Sequence, residues 1–243
     1  TYKINLNEVL EILNFIYFKR DTTLADNEYE NINLKLLLDK DFLKKEFDLF
    51  KKAAIKQSVI NFDEIFNSTT HFSLVDKYKN VLSVTSSIES SFGSRLFVNG
   101  FFLNNQLTDF AFKSKDINGK LLPNRPQAGK KPLSSMSPLI VFDKNNNFLL
   151  TIGSPGGKAI ISYVSRVLID ILYLGLDAQS SIQNPNFIRI KGKTFIEKVE
   201  QKKLLKNNAI VRNLTSGLAV IKKEKEHYVG IVDKRRDGTV RGN

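Results

Sequence analysis

The sequence predicts an α+β fold on three observations. Apolar residues recur at helical spacing up to residue 55, and the pattern switches to alternation from Thr69. A strand, a glycine-rich turn and a long apolar helix then succeed one another between Phe148 and Leu174.

The elements run in order along the chain. Residues 8–18 carry Val9, Leu10, Ile12, Leu13 and Ile16 on a helical period, with Asn7 placed as a cap. Polar residues 19–33 read as a loop. Residues 41–55 form a second helix with Phe42, Phe47, Leu49 and Phe50 on its apolar side, and residues 61–68 an exposed approach to Thr69. From Thr69, Phe72 and Leu74, then Leu82 and Val84, alternate around Lys77-Tyr78-Lys79-Asn80, a hairpin pattern. Further strands are expected at 101–103, 139–143 and 148–152, the last two joined by the turn Asn145-Asn146-Asn147. Residues 113–132 are rich in Gly, Pro, Asn and Lys and should form a long surface loop of the kind used as lids or binding loops. Gly153-Ser154-Pro155-Gly156-Gly157 opens a helix over 159–174, whose first N–H groups lack intrahelical partners and lie at the positive end of its dipole. A short helix at 177–183 and strands at 187–190, 217–221 and 228–232 complete the chain.

Composition narrows the function. Of 243 residues, 42% are hydrophobic and 26% charged, as in a soluble globular chain with one sizeable core. The net charge is 37 − 25 = +12, but the lysines are scattered over 39–52 and 198–206 with little aromatic interleaving. That reads as a solvated surface and not as a nucleic-acid groove. The absence of cysteine excludes disulfides, thiolate catalysis and cysteine metal sites, and two histidines, His71 and His227, argue against a histidine metal centre. The longest apolar stretch, 159–176, is broken by Ser162, Arg166 and Asp170, so no membrane span is expected. A start at Thr1 without a signal-peptide pattern leads to the expectation of a fragment or a processed product.

The chemistry concentrates at Thr69-Thr70-His71-Phe72-Ser73-Leu74-Val75-Asp76. Cleavage between Ser68 and Thr69 would leave a residue holding both a hydroxyl nucleophile and an α-amine base. The β-branch of threonine also restricts χ1 and so the direction of the hydroxyl. Three more segments stand out: Leu103-Asn104-Asn105-Gln106 with Asp109-Phe110, Pro132-Leu133-Ser134-Ser135-Met136-Ser137-Pro138, and the glycine turn 153–157. In this order, with Ser91-Phe92-Gly93, Asn184-Pro185-Asn186-Phe187 and Asp233-Lys234-Arg235-Arg236, they resemble the small-subunit half of the γ-glutamyltransferases, or glutathione hydrolases.

The resemblance implies an αββα four-layer N-terminal-nucleophile hydrolase sandwich, incomplete here because most of the large subunit is absent. Residues 1–68 would be the mostly helical end of that subunit, and 69–243 the small, catalytic one. Self-cleavage at Ser68–Thr69 would free Thr69 to attack the γ-glutamyl carbonyl of glutathione or a similar amide. Water, an amino acid or a peptide would resolve the acyl-enzyme. By the same resemblance Gly156 and Gly157 form the oxyanion hole, and Ser87 stands where a threonine touches the nucleophile. Ser134 and Ser135 bind the substrate's α-carboxylate, and Asp109 and Gln106 its α-ammonium. Glu89 replaces an asparagine contacting that ammonium; beside Asp109 it would raise carboxyl pKa values in the empty site. The large-subunit arginine of the carboxylate site is absent. The resemblance needs no metal or cofactor, calls for the missing large-subunit segment as partner, and implies a periplasmic or secreted location. His71, two residues along the strand from Thr69, is expected to serve packing or a local hydrogen bond. Competing readings are a β-lactam (cephalosporin) acylase, an inactive remnant of such an enzyme, and a basic binding protein; Asp109 and the serine pair favour glutamyl recognition.

Overall fold

The structure is a computed structural model that describes residues 4–53, 68–205 and 208–242, with Ser68 described by its backbone alone. Residues 54–55 of the expected second helix and 61–67 of the approach to Thr69 lie outside the described residues.

Helix α1 (Leu6–Thr23) is capped by Asn5, whose side chain accepts the Asn7 N–H at 3.0 Å, so the cap lies two residues before the expected one. It also runs into the expected loop, because Lys19 pairs with Glu46 at 3.0 Å and Arg20 is buried. Its buried stripe is Leu10, Leu13, Asn14, Tyr17 and Arg20, joined by Phe15, whereas Ile12 and Ile16 face outward. The one-turn α2 (Leu34–Leu37) leads to α3 (Lys40–Lys52), capped by Asp39. Phe47 and Phe50 of α3 pack on Phe15 and Phe18, with ring centroids 5.3–5.5 Å apart. Leu49, expected on that apolar side, is half exposed.

Strands β1 (Ser68–Val75) and β2 (Val81–Glu89) form the expected hairpin. Its turn uses no glycine. The Asp76 carboxylate accepts the Tyr78 and Asn80 N–H groups at 2.8 Å, and Lys79 takes φ +69°. Asp143 closes the later turn in the same way onto Asn145 and Asn147, with Asn146 at φ +62°. The short strands β3 (Phe97–Val98) and β4 (Phe101–Phe102) pair, and a 3₁₀ turn covers Gln106–Asp109. Strands β5 (Leu139–Phe142) and β6 (Phe148–Gly153) lead to a 3₁₀ turn, Gly157–Ala159, and to α4 (Ile160–Leu168). Residues 169–173 of the expected long helix wind as a π-turn, with Asp170 accepting from Arg166 and Asn184 at 3.1 Å.

After α5 (Ala178–Gln183), β7 (Phe187–Ile190) pairs with β8 (Lys193–Ile196), and one-turn α6 (Val199–Lys202) crosses to a parallel β9 (Ala209–Val211). Strands β10 (Ala219–Glu224) and β11 (His227–Val232) finish a four-stranded sheet of order β11-β10-β6-β5. β8, α6 and β9 are not predicted by the sequence, because lysines flank the apolar residues of β8 and α6, and β9 is only three residues long.

This four-stranded sheet organises the molecule. Leu150 and Ile152 point to one face and join Ile160, Tyr163, Val164 and Val167 of α4 in the core. Thr151 and Gly153 point to the other face, where the β1–β2 hairpin lies. The described layers are therefore hairpin, sheet and helix. The outer side of the hairpin carries Phe72 and Leu74, 51% and 49% exposed. Ile152→Ala should destabilise the fold by about 2–5 kcal/mol in chemical denaturation, and Phe72→Ala by less than about 1 kcal/mol.

Candidate active site

The alignment of hairpin and sheet brings Thr69 beside the chain that leads into the glycine turn. Ser73 Oγ lies 3.3 Å from Thr151 Oγ1, and the His71 ring fills the place where a Cβ on Gly153 would sit. The two strands run in opposite senses across this contact. Two further residues along each put Pro155 level with Thr69, and both line one 810 Å³ cleft. Gly156 and Gly157 come next in the chain.

Thr69 pairs across the hairpin with Ser87, whereas Ser68 pairs with Glu89, so Ile88 is an extra residue on β2 opposite the Ser68–Thr69 peptide. Such a bulge bends its strand and re-aims neighbouring side chains. Thr69 Oγ1 donates to Ser87 Oγ at 3.4 Å, a long contact, and Ser87 Oγ accepts the Glu89 N–H at 2.9 Å. Glu89 takes φ +74°, unusual for a side chain of its size. That turn buries its carboxylate, which accepts from Ser90 Oγ and from Asn105 Nδ2.

Asn105 ties the next segment to this point, because its own N–H reaches the Ile88 carbonyl at 3.2 Å. Gln106 Nε2 donates to Asp109 Oδ2 within the 3₁₀ turn. Burial pushes the Asp109 carboxyl above its ordinary value; the Gln106 hydrogen bond opposes this, the Glu89 charge adds to it, and Arg20 and Lys158 pull it down. The carboxylates at 89 and 109 thus share one electrostatic neighbourhood. Arg20 and Lys158 also act there, and the sequence pattern had pointed to neither.

Ser134 and Ser135 sit at the end of the long loop. Ser134 Oγ accepts the Met136 N–H at 3.1 Å, and Ser135 Oγ is buried with no partner among the described residues. Asn124 joins this loop to the Asp109 turn.

Gly156 has φ +135° and Gly157 φ +56°, conformations that favour glycine, and a Cβ on Gly156 would meet Tyr163 at 2.7 Å. The turn is held from α1. Tyr17, buried, donates its hydroxyl hydrogen to the Lys158 carbonyl at 2.7 Å and lies 3.0 Å from Ser162 Oγ. Burial raises the Tyr17 phenol, so it remains a donor. Sequence reasoning missed Tyr17 because on its helix it reads as an ordinary core aromatic. Behind the turn, Ser154 Oγ accepts the Gly217 N–H at 3.2 Å, and Ser216 donates to Asp233. Arg235 pairs with that carboxylate at 3.1 Å and with Glu197 at 2.7 Å, so the 233–236 motif braces the turn.

The sequence pattern that defines the family described as gamma-glutamyltranspeptidase matches residues 2–242. The chain belongs to that family. It is 34% identical over 196 residues to the glutathione hydrolase proenzyme of Bacillus subtilis strain 168, covering 72% of this chain and 32% of that protein. The chain thus spans about a third of the length of the bacterial glutathione hydrolase proenzymes it matches. Helicobacter pylori gamma-glutamyltranspeptidase, solved as a mutant, superposes with a TM-score of 0.61 at 30% identity, over 69% of this chain and 100% of that one. A cephalosporin acylase from Bacillus halodurans superposes over 100% of this chain and 47% of its own, with a TM-score of 0.76 at 14% identity; this likeness concerns the fold. The family match thus extends through α1 and α3 as well as β1.

His71 stands where packing needs it. Nδ1 lies 2.8 Å from Thr85 Oγ1 and Nε2 3.1 Å from Ser73 Oγ, and burial lowers its pKa from 6.5 to about 4. The folded chain therefore binds fewer protons than the unfolded chain between these values, so stability falls as pH drops from 6.5 towards 4. NMR titration of the His71 ring should show it neutral at pH 6, and His71→Gln should remove part of the acid-induced loss of melting temperature.

Proposed function

We propose that this chain carries the nucleophile of a γ-glutamyl hydrolase and transferase. Cleavage between Ser68 and Thr69 creates an N-terminal threonine. Its amine takes the hydroxyl proton, directly or through water, and Oγ1 attacks the γ-glutamyl carbonyl of glutathione or a similar amide. The Gly156 and Gly157 N–H groups receive the oxyanion, a contribution worth about 2.7–4 kcal/mol per donor in other hydrolases. Collapse expels the amine, cysteinylglycine in the case of glutathione, as the Thr69 ammonium returns that proton to the departing nitrogen, and leaves a γ-glutamyl ester on Thr69. Water, an amino acid or a peptide then attacks that ester. Asp109, Gln106 and Glu89 receive the α-ammonium, and Ser134 and Ser135 the α-carboxylate.

The observation that carries this reading is the β2 bulge. It places the extra residue Ile88 opposite the Ser68–Thr69 peptide, with the Ser87 hydroxyl at Thr69 Oγ1. Two relatives supply the substrate class through the name glutathione hydrolase proenzyme. The exposed hairpin face of Phe72 and Leu74 fits a fourth, helical layer from a large-subunit segment, with residues 1–68 as its end. The heterodimer so formed would be periplasmic or secreted.

Intact-mass analysis of the chain co-expressed with a family large-subunit segment should give a species beginning at Thr69. Thr69→Ala should stay uncut and release no anilide from a γ-glutamyl anilide. A chain that stays uncut under these conditions would refute the catalytic reading. Asp109→Asn should raise KM roughly 10- to 100-fold, the usual value of a charge-assisted hydrogen bond, with a smaller effect on kcat. Because burial raises the Asp109 carboxyl, KM should also rise as pH falls through that raised value.

A further inference from the structure

Between the Asp109 turn and the Ser134–Ser135 segment lies one side chain bonded to both. Asn124 Nδ2 donates to the Asp109 carbonyl at 2.7 Å, and Asn124 Oδ1 accepts the Leu133 N–H at 3.0 Å. Its own carbonyl accepts the Ala111 N–H at 2.8 Å. The amide therefore spans the two segments that would hold the two charged ends of an α-amino acid.

Asn124 is itself held from the N-terminal segment. Glu30 Oε1 accepts from Arg125 Nη1 at 2.6 Å and from Lys130 Nζ at 2.8 Å. The Lys130 ammonium is fully buried and also donates to the Pro123 carbonyl at 2.5 Å. The Lys131 N–H donates to Asp26 at 2.8 Å, and Gly129 lies so close to Tyr29 that a Cβ would collide with its hydroxyl. The segment 26–30 thus clamps the loop just after Asn124, at Arg125 and at residues 129–131.

We propose that Asn124 is a positioning residue that fixes the spacing between the ammonium-binding and carboxylate-binding halves of the γ-glutamyl site, and that Glu30 holds it in place. This rests on the substrate assignment proposed above. The spacing selects ligands that bear both an ammonium and a carboxylate on one carbon. Should the chain be cut before Thr69, the clamp becomes a contact between the two pieces, and loss of the N-terminal piece would loosen the substrate site.

Hydrogen exchange read by mass spectrometry tests this without requiring turnover. Asn124→Ala should speed exchange about tenfold in two separate segments, 110–111 and 133–136, while β6 stays protected as a control for folding. Glu30→Gln should speed the same two segments by a smaller factor. Asn124→Asp keeps an acceptor for Leu133 and lacks the donor for Asp109, so it should protect 133–136 and release 110–111. It also serves where the alanine variant does not fold. Faster exchange in only one segment with Asn124→Ala, or in neither, would overturn the proposal. Calorimetric titration with L-glutamate should show affinity reduced about tenfold in Asn124→Ala. Failure of L-glutamate to bind the unaltered chain co-expressed with the large-subunit segment would count against the substrate assignment, while the exchange pattern alone decides the coupling.

Discussion

Ser73 touches Thr151 across two sheets, and the His71 ring occupies the space that Gly153 leaves by having no side chain. This contact fixes the register of β1 on the central sheet, and the proposed site depends on that register. A strand has a side-chain period of two, so a slip of one residue would turn Thr69, His71 and Ser73 away from the sheet. It would bring Phe72 and Leu74 inward against Thr151. The neutral state of His71 belongs to the same constraint, since a charged imidazole would be costly in this half-buried position.

The glycine turn on the other side of the site is held independently. Tyr17 fixes the Lys158 carbonyl from α1, and the chain from Asp233 through Ser216 and Gly217 to Ser154 fixes the approach to Gly156. A buried network of Arg166, Asp170, Asn186, Glu197 and Arg235 anchors that second brace. Removing one member of such a network strands its buried partners, which is more damaging than the loss of one contact. Helix α1 therefore belongs with the glycine turn physically, although about 140 residues separate them in sequence.

Much of this was legible in the sequence where local rules operate. The β1–β2 hairpin, the β5–β6 pair, the glycine turn and the start of α4 arise from alternation, turn residues and helix-start geometry. The site residues at 69, 87, 89, 106, 109, 134, 135, 156 and 157 came from resemblance, since singly each reads as a surface polar group or a turn glycine. What the sequence hid is tertiary. Ile12 and Ile16 look like core yet face outward, because α1 is rotated to bury Asn14, Tyr17 and Arg20. Asn14 accepts the Gly192 N–H at 2.9 Å, a partner no helical period reveals. The bulge at Ile88 is likewise invisible, as alternation continues through Thr85, Ser87 and Glu89 with only the pairing partner displaced. The parallel β9 was missed because its pairing to β8 passes over α6.

The register of hairpin on sheet can be read directly because the chain contains no cysteine. A Ser73→Cys, Thr151→Cys double variant under mild oxidation should form one intramolecular disulfide rapidly and completely. Phe72→Cys with Thr151→Cys should remain reduced. Closure of the second pair in place of the first would contradict the alignment of Thr69 with Pro155, the residue before the Gly156–Gly157 turn.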